Sequence, residues 1–260
     1  MQIVITGAVG RIGRVMVQEL ADRHELILLD RRQRRNVESI RADLTRRAPR
    51  WRYGPGSDVF AWEHHLEGAD AILHLAGNPS PRASLPDALR GNVESTANVL
   101  EAAARYGVPR VVYASSFWAV RRALRDAVAR GAGPVPEPLH ASPDTPYGLS
   151  KAAAELAGQM AVEAGCIDCF VAVRIGAVNW KPPRAPVDPI QRLSAVGVAD
   201  LRTILRLCLE RPLRGYHVVY GISPVPNGLV DLEATRRLLN WSPLETHESP
   251  AVEFRVTQAL

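Results

Sequence analysis

Three cysteines in 260 residues are too few, and odd in number, for a disulfide framework, which points to a reducing compartment. No run of 18 or more apolar residues occurs, so a membrane-spanning helix is not expected. The opening MQIVITGAVG enters a strand pattern without a charged leader or a cleavage site, and a soluble, cytoplasmic protein is expected. Internal repeats and a low-complexity linker are also missing. Cys166 and Cys169 form a CxxC with no second cluster to complete the four ligands of a structural zinc site, so no metal is expected. A redox CxxC belongs at the start of a helix, whereas this one precedes an apolar strand pattern. Arginine, by contrast, is plentiful: the formal charge is +5, and 12 arginines fall between residues 11 and 52. They are scattered, and RRQRR at 31–35 reads as a solvated loop, so nucleic acid is not an expected partner. A positive field favours an anionic substrate or cofactor.

Short apolar runs alternate with helical periodicity. QIVIT, ELILLD, VESIRA, ADAILHLA, PRVVYASS, CFVAVRI and YHVVYGI read as strands; helices are expected near 11–22, 58–67, 84–106, 147–165, 198–211 and 231–240. Such alternation builds βαβ units and a doubly wound parallel sheet of α/β class, and the 47% hydrophobic content is enough for a sizeable core. Segments 45–57, 117–146 and 176–197, rich in Pro, Gly or Arg, read as loops. The last two follow strands at their carboxyl ends, where open α/β sheets bind ligands. The expected division is a nucleotide-binding core at 1–175 and a small C-terminal substrate-binding portion, 176–260, packed on the same core.

Directly after the first strand stand Gly7, Gly10, Arg11, Ile12 and Gly13, and then an amphipathic helix. Glycines here permit a tight turn and close approach of the backbone to a pyrophosphate, with helix N–H groups free to meet the phosphates. Asp30 ends the second strand, where a carboxylate accepts hydrogen bonds from both adenosine ribose hydroxyls and repels a 2′-phosphate. NAD is therefore expected over NADP, although Arg31 and Arg32 stand close by. Asp43, after the third strand, is placed for the adenine edge. Further on, Tyr147 and Lys151 are four residues apart and share one helical face. A free phenol has a pKa of about 10, and a neighbouring ammonium favours the phenolate. Ser115 and Ser116 end the fifth strand, where a hydroxyl can orient a reacting oxygen.

Taken in order, TGAVGRIG at 6–13, Asp30, ADL at 42–44, HLAG at 74–77, Asn92, ASS at 114–116 and YGLSK at 147–151 resemble the extended short-chain dehydrogenase/reductases, the group that includes NAD-dependent sugar epimerases and dehydratases. The resemblance implies a Rossmann fold and catalysis by Ser116, Tyr147 and Lys151, with Ser115 in support. It also implies NAD contacts from the glycine-turn residues named above, Asp30, Asp43, Leu44, Leu75, Ala76, Gly77, Asn92, Tyr147, Lys151 and Ile175. Ser116 and Tyr147 are 31 residues apart, more than is usual in the family, with RRALRDAVARGAG as the extra material. Such material is positioned to reshape the pocket entrance.

Only 109 residues follow Lys151, fewer than in relatives that bind nucleotide-sugars, and a smaller substrate is expected. Within the family the length, RIG at 174–176 and LSAVGVADL most resemble the uronate dehydrogenases, which oxidise C1 of a free hexuronic acid to an aldarolactone. The implied substrate contacts are Asn78, Ser80, Ser115, Ser116, Phe117, Trp118 and Ala177, with Arg184 or Arg192 for the carboxylate and Arg174 as a structural residue. Two departures stand out: Ala177 replaces a serine of that subfamily, and Phe117-Trp118 a polar pair. A homo-oligomer acting on a small sugar or sugar acid is expected. The alternatives are a nucleotide-sugar epimerase or dehydratase, and a nucleotide-binding sensor without turnover.

Overall fold

The computed structural model describes residues 1–34, 37–46, 60–131, 134–135, 139–180, 189–224 and 228–244, without the side chains of 189 and 192. Strands β1 (Gln2–Thr6), β2 (Glu25–Asp30), β3 (Ile40–Arg41), β4 (Ala71–His74), β5 (Arg110–Ser116) and β6 (Cys169–Ile175) alternate with helices α1 (Arg11–Leu20), α2 (Leu85–Ala88), α3 (Ser95–Tyr106), α4 (Arg121–Ala129) and α5 (Pro146–Glu163). Beyond β6 come β7 (Ala177–Val178), α6 (Pro189–Leu193), β8 (Ala195–Val196), α7 (Val198–Glu210), β9 (Gly215–Gly221) and α8 (Glu233–Leu239). Seven strands form one parallel sheet in the order β3-β2-β1-β4-β5-β6-β9, and β7 pairs with β8 apart from it. The order reverses between β1 and β4, and this is the crevice where doubly wound sheets take their ligands.

Alternation along the strands divides the core. Ile3 and Ile5 of β1, Val112 and Ala114 of β5, and Val171 and Val173 of β6 join Met16, Leu20, Ile204 and Leu205 on one face. Val4, Val111, Tyr113, Phe170 and Ala172 join Val99, Ala154 and Ala161 on the other. Both faces are covered, which is why the strands read as unbroken apolar runs. At about 25 cal/mol per Å² of apolar surface, each fully buried Ile or Leu contributes roughly 2 kcal/mol. Because β9 lies in the same sheet, the chain beyond 175 shares this core. No helix among the described residues is long and apolar enough to cross a membrane.

Four sequence expectations are corrected. VESIRA forms a strand only at Ile40–Arg41, since the run has charged residues at 38 and 41 and little apolar surface to bury. The helix expected at 58–67 is one 3-10 turn, Glu63–Leu66. The helix expected at 84–106 is interrupted by a π turn at Leu89–Glu94. The loop expected at 117–146 instead opens with a 3-10 turn, Phe117–Val120, and α4, because Val120, Leu124 and Ala127 fall on one side and are buried while Arg122 and Arg125 stay outside. The greater part of the 45–57 loop, residues 47–57, lies outside the described residues.

His74 ends β4 completely buried. Thr96 Oγ1 gives its proton to the Asn92 carbonyl at 2.6 Å, so it accepts from His74 Nε2 at 3.0 Å, and His74 Nδ1 accepts from Thr6 Oγ1 at 2.7 Å. The ring is thus held neutral, and burial, helped by the Lys151 charge, pushes its pKa down to about 3. An unfolded histidine titrates near 6.5. Between those limits the unfolded chain binds the extra proton, so the stabilisation is complete above pH 6.5 and is lost on acidification, at up to about 1.4 kcal/mol per pH unit. His74→Gln should therefore lose less of its urea midpoint than the parent between pH 7 and pH 4.5. Equal losses in the two proteins would count against this assignment.

Candidate functional site

The crevice between β1 and β4 is built to bring backbone close to a ligand. Gly7 has a φ of +74°, and a Cβ there would lie 2.7 Å from the Ala76 nitrogen; one at Gly13 would lie 2.3 Å from the Gly7 carbonyl oxygen. Gly10 starts α1 with no side-chain cap and no acidic residue in the first turn, so the N–H groups of Arg11, Ile12 and Gly13 face no competing side-chain anion. Asp30 reaches from β2 to this turn, accepting from the Val9 N–H at 3.0 Å and the Arg32 N–H at 2.8 Å. Leu75 and Ala76, across the crevice, are tied to Thr6 through its carbonyl at 3.1 Å and its hydroxyl at 3.3 Å. A turn that no Cβ could enter, an uncapped helix start and a carboxylate at the next strand end fit a dinucleotide with its pyrophosphate on the turn and a ribose at Asp30. Asp43 accepts from the N–H and hydroxyl of Thr45. Burial opposes its charge, yet these bonds and the charges of Arg46 and Arg31 hold its pKa below the ordinary value. Leu44 is buried in the core, and its carbonyl accepts from Asn98 at 2.7 Å.

The second half of the site stands on α5. Thr145 caps this helix by accepting from the Gly148 N–H at 3.1 Å, and Pro146 occupies its first turn. Tyr147, Lys151 and Glu155 follow at intervals of four on the buried face. Ser116, at the end of β5, lies near enough to the Tyr147 phenol to lower its pKa. Lys151 Nζ donates to the Ala114 carbonyl at 2.8 Å and lies 5.8 Å from the centre of the Tyr147 ring. Burial pushes the ammonium down to about 8, partly offset by Glu155. The phenol moves the other way: burial raises it, and the nearby Ser116 hydroxyl only partly opposes the rise. Sequence reasoning expects a phenol made acidic by its neighbour, whereas here both groups are shifted toward their neutral forms, because the pair is enclosed. Of the two groups, Lys151 is therefore the first to lose its proton, near pH 8.

Several implied contacts are placed differently. Ser115 is on the strand face covered by α5 and donates to Glu155 Oε1, so its proton is not available to a substrate. Phe117 is 2% exposed, in the core beside Val120 and Leu124. Asn92 is buried: its Oδ1 accepts from the Asn78 N–H at 2.8 Å, and its Nδ2 donates to Ser150 Oγ at 2.8 Å. Ser150 in turn donates to the Tyr147 carbonyl at 2.7 Å. Asn92 thus ties the loop after β4 to α5. Asn78 and Ser80 shape that same loop through the Ser80 N–H bond to Asn78 Oδ1 at 3.1 Å. Ile175 ends β6, buried, and Ala177 begins β7. Trp118 is half-buried and edge-on to Tyr147, with ring centres 6.3 Å apart. Arg184 lies outside the described residues, and of Arg192 only the backbone, within α6, is described.

Arg174 is structural, as its strand position implies. Its guanidinium meets both oxygens of buried Glu155, at 3.0 and 2.8 Å, and donates to the Leu139 carbonyl and the Tyr220 hydroxyl. Sequence reasoning missed Glu155 and Ser150. The spacing 147, 151, 155 held the signal for Glu155, and another signal was left unread: lysine occurs only at 151 and 181 in a chain with 32 basic residues.

The sequence pattern of the NAD dependent epimerase/dehydratase family matches residues 3–178. The chain is 27% identical over 259 residues to an NAD-dependent glucose-6-phosphate dehydrogenase of Haloferax volcanii, covering 93% of this chain and 92% of that protein. It is 27% identical to a uronate dehydrogenase of Agrobacterium fabrum over 95% of this chain and 86% of the relative. A crystal structure of a uronate dehydrogenase mutant from Agrobacterium tumefaciens complexed with NAD superposes with a TM-score of 0.73 at 26% identity, over 94% of this chain and 85% of that one.

Proposed function

The chain belongs to the NAD dependent epimerase/dehydratase family and is an NAD-dependent dehydrogenase of the short-chain type, and from that premise we propose that it oxidises a sugar hydroxyl, with C1 of a hexuronic acid, giving the aldarolactone, as the preferred substrate. The observation that carries the proposal is the Lys151 ammonium 5.8 Å from the centre of the Tyr147 ring, both on the buried face of α5, with Ser116 at the adjoining end of β5. When bound, NAD supplies the hydride acceptor and a positively charged ring. Ser116 holds the substrate oxygen by a hydrogen bond, and Tyr147, ionised, accepts the proton of that hydroxyl. Lys151 stabilises the phenolate by its charge, and its bond to the Ala114 carbonyl keeps it in place. Asn92 and Ser150 fix the backbone of Tyr147 so that the phenol is directed at one point. Asp30 favours NAD over NADP, since a 2′-phosphate would meet its carboxylate.

Support for a sugar acid comes from the uronate dehydrogenase relatives and the short C-terminal portion; support for a sugar phosphate comes from the Haloferax relative. The reading includes a homo-oligomer in the cytoplasm. The oligomer is supported by exposed Leu149, Leu156 and Met160 on α5 and by exposed Leu85 and Leu89 on elements packed against it. The test of the activity is incubation with NAD and, separately, glucuronate, galacturonate, glucose 6-phosphate and neutral aldoses, following NADH absorbance. NADH should form with a sugar acid, and NADPH should form at least about tenfold more slowly when NADP replaces NAD. Conversion of substrate without net NADH would instead favour an epimerase.

A further inference from the structure

Lys151 is a buried ammonium with no carboxylate bonded to it among the described residues. Its Nζ carries three N–H donors, and among those residues its hydrogen-bond acceptor is the Ala114 carbonyl at 2.8 Å. Glu155, one turn further along α5, acts on it through charge, while its own oxygens are taken by Arg174 and Ser115. What Lys151 faces instead is an aromatic ring. Nζ lies over Tyr113, 4.8 Å from the ring centre, nearer than the 5.8 Å to the Tyr147 ring. Tyr113 is completely buried on β5, between His74 of β4 and Ala172 of β6 in the sheet. Its ring packs against those of His74 and Phe170, at 5.6 and 5.9 Å between centres. Burial above all, and then the neighbouring Tyr147 and Glu155, hold its phenol well above the ordinary value, so this ring stays neutral where the enzyme works. The other ionisable groups packed around α5 bring no counter-charge to Lys151. His74 is neutral, Arg174 is bound to Glu155 and Tyr220, and burial pushes Tyr216 up to about 12. The charged residues of α2, of the π turn and of α3 are exposed.

We propose that Tyr113 is a positioning residue of the reaction, the face of its neutral ring keeping the Lys151 side chain charged and in place beside Tyr147. The inference rests on the dehydrogenase reading above. A ring face carries negative potential, and an ammonium over it at this distance, with water excluded, is stabilised in its charged form. Residues 113 and 114 therefore hold the lysine together, one by a ring face and the other by a carbonyl. The same strand ends in Ser116, so the support of the lysine and the hydroxyl that orients the substrate are built on one element. The reactive state has phenolate beside ammonium, and a lysine that loses its proton before the phenol gives the other, unreactive, singly protonated form. By stabilising the ammonium, Tyr113 raises the share of the reactive form. It acts through Lys151 and touches no reacting atom.

The test reads Lys151 directly and needs no turnover. Lysine occurs only at 151 and 181, so protein labelled with carbon-13 at lysine Cε gives two NMR signals, and Lys181→Arg leaves that of Lys151. Its titration midpoint should lie near pH 8. Tyr113→Leu should lower that midpoint by about one pH unit, whereas Tyr113→Phe, which keeps the ring, should hold it within about 0.3 unit. Should the leucine variant fail to fold, a trifluorinated phenylalanine at position 113 keeps the ring's shape and removes most of its negative face. It should lower the midpoint as the leucine does. In kcat/KM the fluorinated variant should coincide with Tyr113→Phe on the acidic limb, where the phenolate forms beside a lysine already charged, and fall about tenfold below it on the plateau. A merely structural defect would lower the whole curve. The proposal is overturned if Lys151 titrates alike with phenylalanine and its fluorinated form at 113, if Tyr113→Phe shifts it as far as the fluorinated residue does, or if fluorination lowers kcat/KM equally at every pH. A midpoint that follows the ring in a protein that yields no NADH from any sugar would instead overturn the dehydrogenase reading and leave the ring's hold on the ammonium standing.

Discussion

Tyr147→Phe is expected to lower kcat/KM for sugar oxidation by about a thousandfold, within the range by which a positioned base accelerates proton transfer, while the dissociation constant for NAD stays within about twofold. The substitution removes one oxygen and leaves the ring that packs against Trp118. The pH profile carries the same claim. Burial raises the phenol and lowers Lys151 to about 8, so the ordinary order of their pKa values is inverted. The reactive form has phenolate beside ammonium, and it is one of the two singly protonated forms of the pair. Its population rises as the first proton leaves, near pH 8, and then levels until the second is lost. A rising limb of kcat/KM near pH 8 is therefore predicted. In Lys151→Arg, whose guanidinium does not titrate in this range, the limb should move up to the phenol's own value. A limb that does not move would mean that Lys151 has no part in ionising Tyr147.

Arg174→Leu is expected to lower the thermal midpoint by roughly 10 °C, since breaking a buried ion pair from one side costs about 3–5 kcal/mol. Burial opposes the charge of Arg174, and its bonds and Coulomb attraction to Glu155 more than compensate, which raises its pKa above the ordinary value. Without Arg174, Glu155 is a buried carboxylate whose remaining partner is Ser115. The double variant Arg174→Met with Glu155→Leu should recover part of the loss, because neither charge is then stranded. Glu155→Gln carries a functional consequence. Glu155 raises the Lys151 pKa, so its neutralisation should shift the rising limb of kcat/KM below pH 8. Unchanged melting in Arg174→Leu would show that this pair carries little of the stability.

The parts legible in the sequence are those that depend on local pattern. The glycine turn, the alternating apolar runs and the interval between Tyr147 and Lys151 each act within a few residues, and sheet, crevice and catalytic helix follow from them. Interactions over long separations were not legible. Ser115 and Phe117 looked like substrate contacts because they adjoin Ser116, yet the two-residue period of β5 turns Ser115 toward Glu155, 40 residues away, and the next turn takes Phe117 into the core. Asn92 matches a family position, but its amide is committed to Ser150, 58 residues further along. The 121–129 segment reads as part of a loop; the core that buries Leu124 makes it a helix. The phenol's raised pKa is likewise a property of enclosure, which residue spacing does not encode.

Hydride transfer from a substrate carbon is the most direct test. With C1-deuterated glucuronate, or the C1-deuterated form of whichever sugar proves active, the deuterium should be found in the NADH formed, one per turnover, and initial rates should fall when chemistry limits. Deuterium released to water, or retained in a product formed without NADH, would contradict oxidation at C1 by this enzyme.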